Sequence, residues 1–524
     1  MRHPMSLPIV AIAAVLLSAC GQDETSAPAA TPSLTRSTIV TSDSSLIADG
    51  STVVLVTLVP RDAAGRALTS QVAVHIIATH GSVGATEWNG DSIYTAELTV
   101  PTTAGEDTIS ASIQGKPLAN LVAVRLDPGP VDDSHSKLLV NDSQLLADGQ
   151  SSTRVYIFAR DANGNGIDGL TVHLATSSGA LSQADGVQGG LYQTWLTAGT
   201  DIETATLSAS LTPASTSGTG VPLASIPVTF LDPSSWRVRA NLPIPVQNSA
   251  MTALNGALYL VGGDSVNDYD DWPVSGLVSY DPGSDTWTPR APMPDARSNL
   301  GAAVVGGKLY AMGGSDNAAL HDLWMYDPAL DAWTAKASVP TSRSYLAVAA
   351  LDGLIYAAGG VTTDGEPSGT VEVYDPATDQ WSQAAPLITP RFGFALVAAN
   401  GKLYAMGGAA LSPSLDVDEF DPATNSWRSR AAMPEASAEI AAAFVGGRII
   451  VLGGSGLYGN GVDALVRCRA YDPTVDSWQS CPPMHFARRG ASAAALNGAL
   501  YVAGGFASTV HGAGDIKSVE EYTP

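Results

Sequence analysis

The sequence predicts an all-β chain assembled from repeated sheets, and three observations carry that prediction. Across 524 residues there are 52 Gly and 33 Pro but only 15% charged residues. The apolar residues fall in Val, Thr, Tyr and Ala runs rather than in Glu-, Lys- and Leu-rich helical periods, a composition of short strands and tight turns. A segment near residue 48 recurs at an offset of 99, and Gly-Gly pairs begin at 262, 313, 359, 407, 453 and 504. Self-similarity at a fixed period dictates architecture before any single residue does, and a chain this long needs several folding units. The formal net charge of -24 opposes binding to nucleic acid or anionic lipid, because the long-range field repels polyanions before contact.

The first residues read as an address. Arg2 supplies a positive start, residues 9–17 an apolar stretch, and Leu17, Ser18, Ala19 and Cys20 a small-residue cleavage site. The stretch is shorter than the roughly 20 apolar residues a membrane span needs and suits a signal core. It resembles a bacterial lipobox. The resemblance implies that residues 1–19 are removed, that Cys20 is lipidated, and that acyl chains, each CH₂ contributing about 0.8 kcal/mol, anchor the chain to a membrane. Gly21 rather than Asp after the cysteine implies an outer-membrane location where the source has two membranes, on the periplasmic side or at the cell surface. Residues 20–36, rich in Ala, Ser, Thr and Pro, read as a flexible tether.

Next come two copies of one unit, residues 37–130 and 134–233. Ala48, Asp49 and Gly50 recur as Ala147, Asp148 and Gly149, and Arg61, Asp62 and Ala63 recur as Arg160, Asp161 and Ala162. Alternating stretches at 53–59 and 153–159, bounded by turn residues, predict a sandwich of about seven short strands in each copy. The Ala-Asp-Gly segment and the Asp-Ala-x-Gly turns at 62–65 and 161–164 (Asp-Ala-Asn-Gly in the second) resemble the bacterial Ig-like domains, of Big-1 type, found in invasin and intimin proteins. The resemblance implies two Ig-like sandwiches in series, a stalk. His75, His80 and His173 are read as sandwich residues rather than metal ligands.

From Trp236 onward each Gly-Gly is followed by Tyr280, Tyr326, Tyr374, Phe420, Tyr471 or Tyr522, and the first five aromatics have a Trp seven residues later (Trp287, Trp333, Trp381, Trp427, Trp478). This resembles the kelch repeat. It implies that residues 234–524 form a six-bladed β-propeller of four-stranded blades, with strand a at a stretch such as 300–305, strand b at 308–312, strand c running into the Tyr, and strand d carrying the Trp. Trp236 stands 26 residues before the first Gly-Gly, as every other Trp stands before the next, so it belongs to the last blade and closes the ring. Only the distance from Gly-Gly to the next aromatic varies, at 18, 13, 15, 13, 18 and 18 residues. The b–c loops therefore carry the elaboration, and the long ones fall in adjacent blades 5, 6 and 1. Cys468 and Cys481, symmetric about the Tyr471–Trp478 hairpin, are expected to form a disulfide across strands c and d.

Candidate ligand-binding residues fall in two groups. Sixteen residues before Gly-Gly stand Val246, Arg297, Arg343, Arg391, Ser437 and Arg488, at the start of strand a; two residues later stand Asn248, Asn299, Tyr345, Gly393, Glu439 and Gly490. Four arginines near the axis of an acidic protein read either as an anion-binding set with Glu439 as base or as packing residues tying strand a to backbone, with Glu439 bridged to Arg488 or Arg391. The long loops add Asp268, Tyr269, Trp272, Tyr458, Asn460, Phe506 and His511. Asp264, Asp268, Asp270 and Asp271 match no defined calcium loop and read as a solvated acidic loop. Kelch enzymes include a copper radical oxidase and a sialic acid mutarotase; no Tyr-His pair occurs, and His321, His485 and His511 are scattered over three blades, against the oxidase. The reading is an exported, lipid-anchored protein that presents its propeller to a protein or glycan ligand on the b–c and d–a face, with no cofactor. A carbohydrate-processing enzyme of mutarotase type and an envelope scaffold are the alternatives.

Overall fold

The computed structural model describes residues 31–213, 220–267, 270–455, 463–509 and 512–524. The signal peptide, Cys20, Asp268, Tyr269, Tyr458, Asn460 and His511 lie outside them. The described residues form strands and one 3-10 turn, Pro233–Ser235, with no α-helix.

The described residues up to 129 form one compact unit and those from 130 onward another. In the first, one sheet is built from Thr38–Thr41, Val53–Val59, Tyr94–Thr99 and Ser82–Val83, and the other from Ser45–Ile47, Val122–Asp127, Gly105–Ile113 and Val74–Ala78. These eight strands, with short pairings at Glu87–Trp88 and Lys116–Pro117, exceed the seven expected. The alternation in Val53–Val59 buries Val54, Val56 and Leu58 against Ile109 and Val124. The repeated motifs are turn chemistry: one Asp49 oxygen accepts from the amides of Ser51 and Thr52, while Asp62 accepts from those of Ala64 and Arg66. Asp148 and Asp161 do the same in the second copy.

The second sandwich, from Lys137–Val140 to Ile226–Leu231, repeats this topology but has a different neighbour. It packs on the propeller within one unit, so the pair is not a free stalk domain followed by a separate head. Ala464, Val466 and Ala487 of the propeller join its apolar core cluster. Asp463, buried, accepts from Asn141 Nδ2 at 3.2 Å and faces Arg154 at 3.4 Å. Arg467 donates to the Asn141 carbonyl at 2.7 Å, and Asp142 accepts from the Val466 amide at 3.3 Å. Ser152 and Tyr156, outward on a strand whose first-copy counterpart alternates, are covered as well.

The propeller has six four-stranded antiparallel sheets. Blade 2 shows the pattern: strand a is Gly301–Val305, b Lys308–Met312, c Leu323–Asp327 and d Ala332–Lys336. Blade 6 takes a, b and c from Ser492–Leu496, Ala499–Ala503 and Val519–Tyr522, and its strand d is Trp236–Arg239, paired so that Trp236 faces Tyr522. The two rings stack at 5.0 Å. Cys468 and Cys481 are bonded across blade 5, with Cα atoms 5.2 Å apart.

At the rim each blade clasps its predecessor. Trp333 Nε1 donates to the Ala291 carbonyl at 2.8 Å, and Asp331 Oδ1 accepts from the Ala291 amide at 3.0 Å and from the Tyr326 hydroxyl at 2.6 Å. The same arrangement holds Ala240, Ala337 and Ala431. Blade 4 has Phe420, which lacks the hydroxyl, and there Asn425 replaces the Asp while still accepting from the Ala385 amide at 2.9 Å. At each Gly-Gly pair the backbone passes too close to its surroundings for a side chain. A Cβ on Gly313 would stand 2.8 Å from the Arg343 carbonyl of the next blade, and one on Gly314 2.5 Å from the Ser298 carbonyl, both at positive φ.

Two outcomes test this frame. Removing residues 234–242 strips blade 6 of its outer strand and exposes the edge of Val519–Tyr522, so the truncated chain should aggregate or unfold non-cooperatively. Trp236→Ala should cost roughly 3–5 kcal/mol in urea unfolding; wild-type stability in either would refute the closure. The second concerns acid. The Tyr280 hydroxyl and Ala240 amide hold the Asp285 carboxyl below its usual range, and the Ala291 amide and Tyr326 hydroxyl do so for Asp331. The stabilisation from these depressed groups is fully present above about pH 4 and is lost as pH falls through the lowered values. Melting temperature should therefore drop below pH 4, and Asp331→Asn should flatten that dependence.

Candidate functional site

Around the axis, the six residues two places after the first row, just ahead of strand a in each blade, all lie in the left-handed region, with φ between 53° and 59° for Asn248, Asn299, Tyr345, Gly393, Glu439 and Gly490. Four of them are not glycine, so the conformation carries a steric cost. The backbone pays it back in hydrogen bonds. Each amide donates to the carbonyl of its neighbour on the preceding blade: Asn299 to Asn248 at 2.9 Å, Tyr345 to Asn299 at 2.9 Å, Gly393 to Tyr345 at 3.3 Å, and Glu439 to Gly393 at 2.7 Å. Gly490 to Glu439 at 3.0 Å and Asn248 to Gly490 at 2.7 Å complete a head-to-tail circuit.

This circuit lines a shallow axial depression of about 100 Å³. Gly393 and Gly490 leave room, and Asn248, Asn299, Tyr345 and Glu439 supply the polar groups. Asn248 Nδ2 stands 3.3 Å from Asp264 Oδ2, and Asn299 Oδ1 is buried without a hydrogen-bond partner among the described residues. Burial, with the negative charge of Glu439 adding to it, pushes the Tyr345 phenol up. Glu439 accepts from Arg489 at 2.5 Å, not from Arg488 or Arg391 as expected, and the Arg489 guanidinium lies 4.6 Å over the Phe506 ring. A carboxylate, a guanidinium and an aromatic face thus run from the axis to the first residue of the blade 6 loop.

The first row is not part of this mouth, which corrects the anion-binding expectation for Arg297, Arg343, Arg391 and Arg488. All four are at most 1% exposed. Arg343 Nη1 donates to the Gly359 and Thr370 carbonyls at 2.9 and 2.8 Å, and Nη2 to Glu372 at 2.6 Å. Arg391 pairs with Asp418 and Arg488 with Glu520, each at 2.6 Å, while Arg297 has Asp322 at 3.5 Å. Each ties the segment leading into strand a to strand c of its own blade or, for Arg297, to the residue before it. Strand-c acids two residues before the aromatic occur in blades 3, 4 and 6, which also carry the first-row Arg, so this pairing was visible as a covariation among the repeats.

The long loops divide by role. In blade 1, Asp264–Asn267 pairs with Asp270–Pro273, and in blade 6, Phe506–Thr509 pairs with Gly512–Asp515; the two hairpins are neighbours. Trp272 on the first is 57% exposed. In blade 5, residues 463–467 carry the contacts to the second sandwich, which narrows the open sector to blades 6 and 1. Of the acidic set, Asp264 is buried beside Asn248, and no metal-binding group of His, Cys, Asp and Glu occurs among the described residues. His173 bonds Thr212, His485 bonds Glu520, and His80 lies 3.9 Å from Asp107.

Residues 258–513 match the family model of the Attractin/LZTR1 beta-propeller, and residues 33–129 and 132–223 each match that of invasin domain 3. Among curated proteins, the human kelch repeat and BTB domain-containing protein 12 is 32% identical over 85 residues, 15% of this chain and 14% of that protein. The zebrafish (Danio rerio) Kelch-like ECH-associated protein 1B is 32% identical over 88 residues, 17% and 15% of the two chains. A putative F-box/kelch-repeat protein of Arabidopsis thaliana, At3g46050, is 37% identical over 84 residues, 15% and 22%. The chain thus spans less than a quarter of the length of these relatives. A solved structure titled "Structure of YjhT" aligns at 18% identity and a TM-score of 0.47, over 54% of this chain and 95% of that one. Residues 33–223 are therefore similar to invasin domain 3 in two copies, and residues 258–513 form a kelch-type propeller.

Proposed function

We propose that this chain is an exported lipoprotein, held to a cell-envelope membrane through lipid on Cys20, whose propeller binds a protein or glycan on its b–c and d–a face. The observation that carries the binding reading is the open ground beside the axis: the Glu439–Arg489–Phe506 run and the exposed Trp272 on neighbouring hairpins. Aromatic faces next to a partly covered charge pair suit hydrogen-bonded, partly apolar ligands. Similarity to invasin domains and to kelch proteins supports a binding or adhesion role for the combination. An outer-membrane location is part of the proposal, resting on Gly21. The mutarotase alternative loses the first-row arginines as its cation, since they are covered.

Anchoring is tested at the cysteine. Cys20→Ser should abolish acyl labelling and release the protein from membranes or leave its precursor uncut; unchanged labelling and fractionation would reject the anchor. For the binding face, the full chain is screened on a glycan array and against envelope proteins. Shortening the blade 1 loop to the length of blade 2's, or Phe506→Ala, should weaken the resulting binding about tenfold or more, whereas Thr378→Ala on the opposite turn should not. Tyr458→Ala extends the test to blade 5. Equal affinity in the shortened-loop, Phe506 and Tyr458 variants would move the function elsewhere.

A further inference from the structure

Blade 1 departs from its sisters at the first-row position, where it alone has no hydrogen-bonding side chain. In blades 2, 3, 4 and 6 the first-row guanidinium donates to the carbonyl of the first glycine of the Gly-Gly pair, as Arg343 does to Gly359 at 2.9 Å and Arg488 to Gly504 at 2.8 Å. In blade 5 the Ser437 hydroxyl donates to Gly453 at 3.4 Å. Val246 has nothing to donate, and the carbonyl of buried Gly262 accepts from no described residue. The acids are replaced too. Val278 stands where strand c of other blades carries Glu372, Asp418 or Glu520, and Gly276 and Ile244 stand where blade 2 has Asp322 and Asp295.

The space that holds the sister ion pair is in blade 1 a recess of about 30 Å³, walled by Leu242, Val246, Leu260 and Val278. The correspondence is residue for residue: Arg343 bonds Ala357, Gly359, Thr370 and Glu372, whose counterparts Leu260, Gly262, Gly276 and Val278 all line the recess. It is far smaller than the roughly 300–1,000 Å³ of small-molecule sites, so it takes the end of one side chain. A cation there would meet carbonyls but no carboxylate, and burying it unpaired is strongly unfavourable. The open Gly262 carbonyl calls for one donor. A neutral, largely apolar group with one N–H or O–H meets both conditions, as the ends of threonine, tyrosine and tryptophan do.

The mouth adds a charge and an apolar lip. Ile244 is 46% exposed, and the ammonium of exposed Lys517 donates to the Pro243 carbonyl at 3.2 Å. One blade away the same face is already covered by protein. At the corresponding loop into blade 6, Ser151 of the second sandwich donates to the His485 carbonyl at 3.4 Å, and Ala487 joins the sandwich's apolar cluster.

We infer that the blade 1 recess anchors a protein segment that inserts one threonine, tyrosine or tryptophan side chain and sets an acidic residue on Lys517. This rests on the binding role proposed for the blade 6 and 1 sector and selects protein over glycan as its ligand.

For the test, the full chain selects from a phage-displayed library of random peptides, and the enriched peptide is measured by calorimetry. Enriched sequences should share a threonine, tyrosine or tryptophan beside an Asp or Glu. Replacing that anchor by alanine should weaken binding about tenfold or more. Ile244→Asp, which gives the mouth blade 2's residue, should do the same. So should Val246→Arg combined with Leu260→Ala and Val278→Glu, which builds blade 3's pair into the recess. In that triple variant the alanine peptide should lose nothing further, because the anchor has no recess to enter. The inference is overturned if no such consensus emerges, if the consensus anchor is Lys or Arg, or if Ile244→Asp binds as the wild type does. Peptides weakened by Phe506→Ala or the shortened blade 1 loop but by neither recess variant would overturn it and leave the binding face standing. A glycan-array ligand without peptide enrichment would do likewise. Peptide binding indifferent to all of these variants would reject the inference and the face together.

Discussion

The propeller depends on the pairing of Trp236–Arg239 with Val519–Tyr522, strands separated by almost the whole domain in sequence. A fan of twisted sheets has two unsatisfied edges until its ends meet, and each would present a row of free amides and carbonyls. Once that pairing forms, blade 6 becomes like the others, and every blade has a neighbour on both sides. The rim clasps and the axial hydrogen bonds are repeated around the ring only because it closes. The axial circuit makes this plain: the Asn248 amide needs the Gly490 carbonyl, which stands on the other side of the seam.

Closure also explains which strain the fold tolerates. Four non-glycine residues hold left-handed backbone at the mouth, and pairs of glycines lie between adjacent blades where a side chain would meet a carbonyl. Inside three of the blades an arginine and an acid are buried together, with the guanidinium also satisfying carbonyls that the loops leave unpaired. A buried ion pair adds little over an apolar pair, but removing one partner strands a charge, so these positions hold the blade to one arrangement. They are structure rather than ligand site, although they lie close to the axis.

The duplicated sandwiches show how one fold takes two roles. Their turns, topology and cores correspond, and each builds its Asp-Gly turns from the same hydrogen bonds. The second copy differs on its outer face, where Arg154, Asn141 and Asp142 meet Asp463 and Arg467. The corresponding region of the first copy carries exposed Val40, Val53 and Leu55. Docking by the second copy occupies part of the face with long loops and leaves the hairpins of blades 6 and 1 as its open part.

The sequence alone determined the all-β class, the two sandwiches, the six blades, the strand that closes the ring and the Cys468–Cys481 bond. All but the bond, which its symmetry about one repeated hairpin gives away, are written in a repeat, and a repeat reports a local structural requirement every time it recurs: a turn Asp, a rim Trp, a Gly-Gly squeeze. Tertiary structure decided what the repeats leave out. The spacing placed Arg297, Arg343, Arg391 and Arg488 near the axis, but whether a guanidinium faces the opening or turns back into its blade depends on which acid and carbonyls lie within reach. The Glu439–Arg489 pair crosses between blades 5 and 6, so no single repeat contains it. Loop lengths marked blade 5 as unusual, and only the fold shows that its loop meets the second sandwich, because the contacts join residues more than 300 positions apart, as Asn141 and Asp463 are.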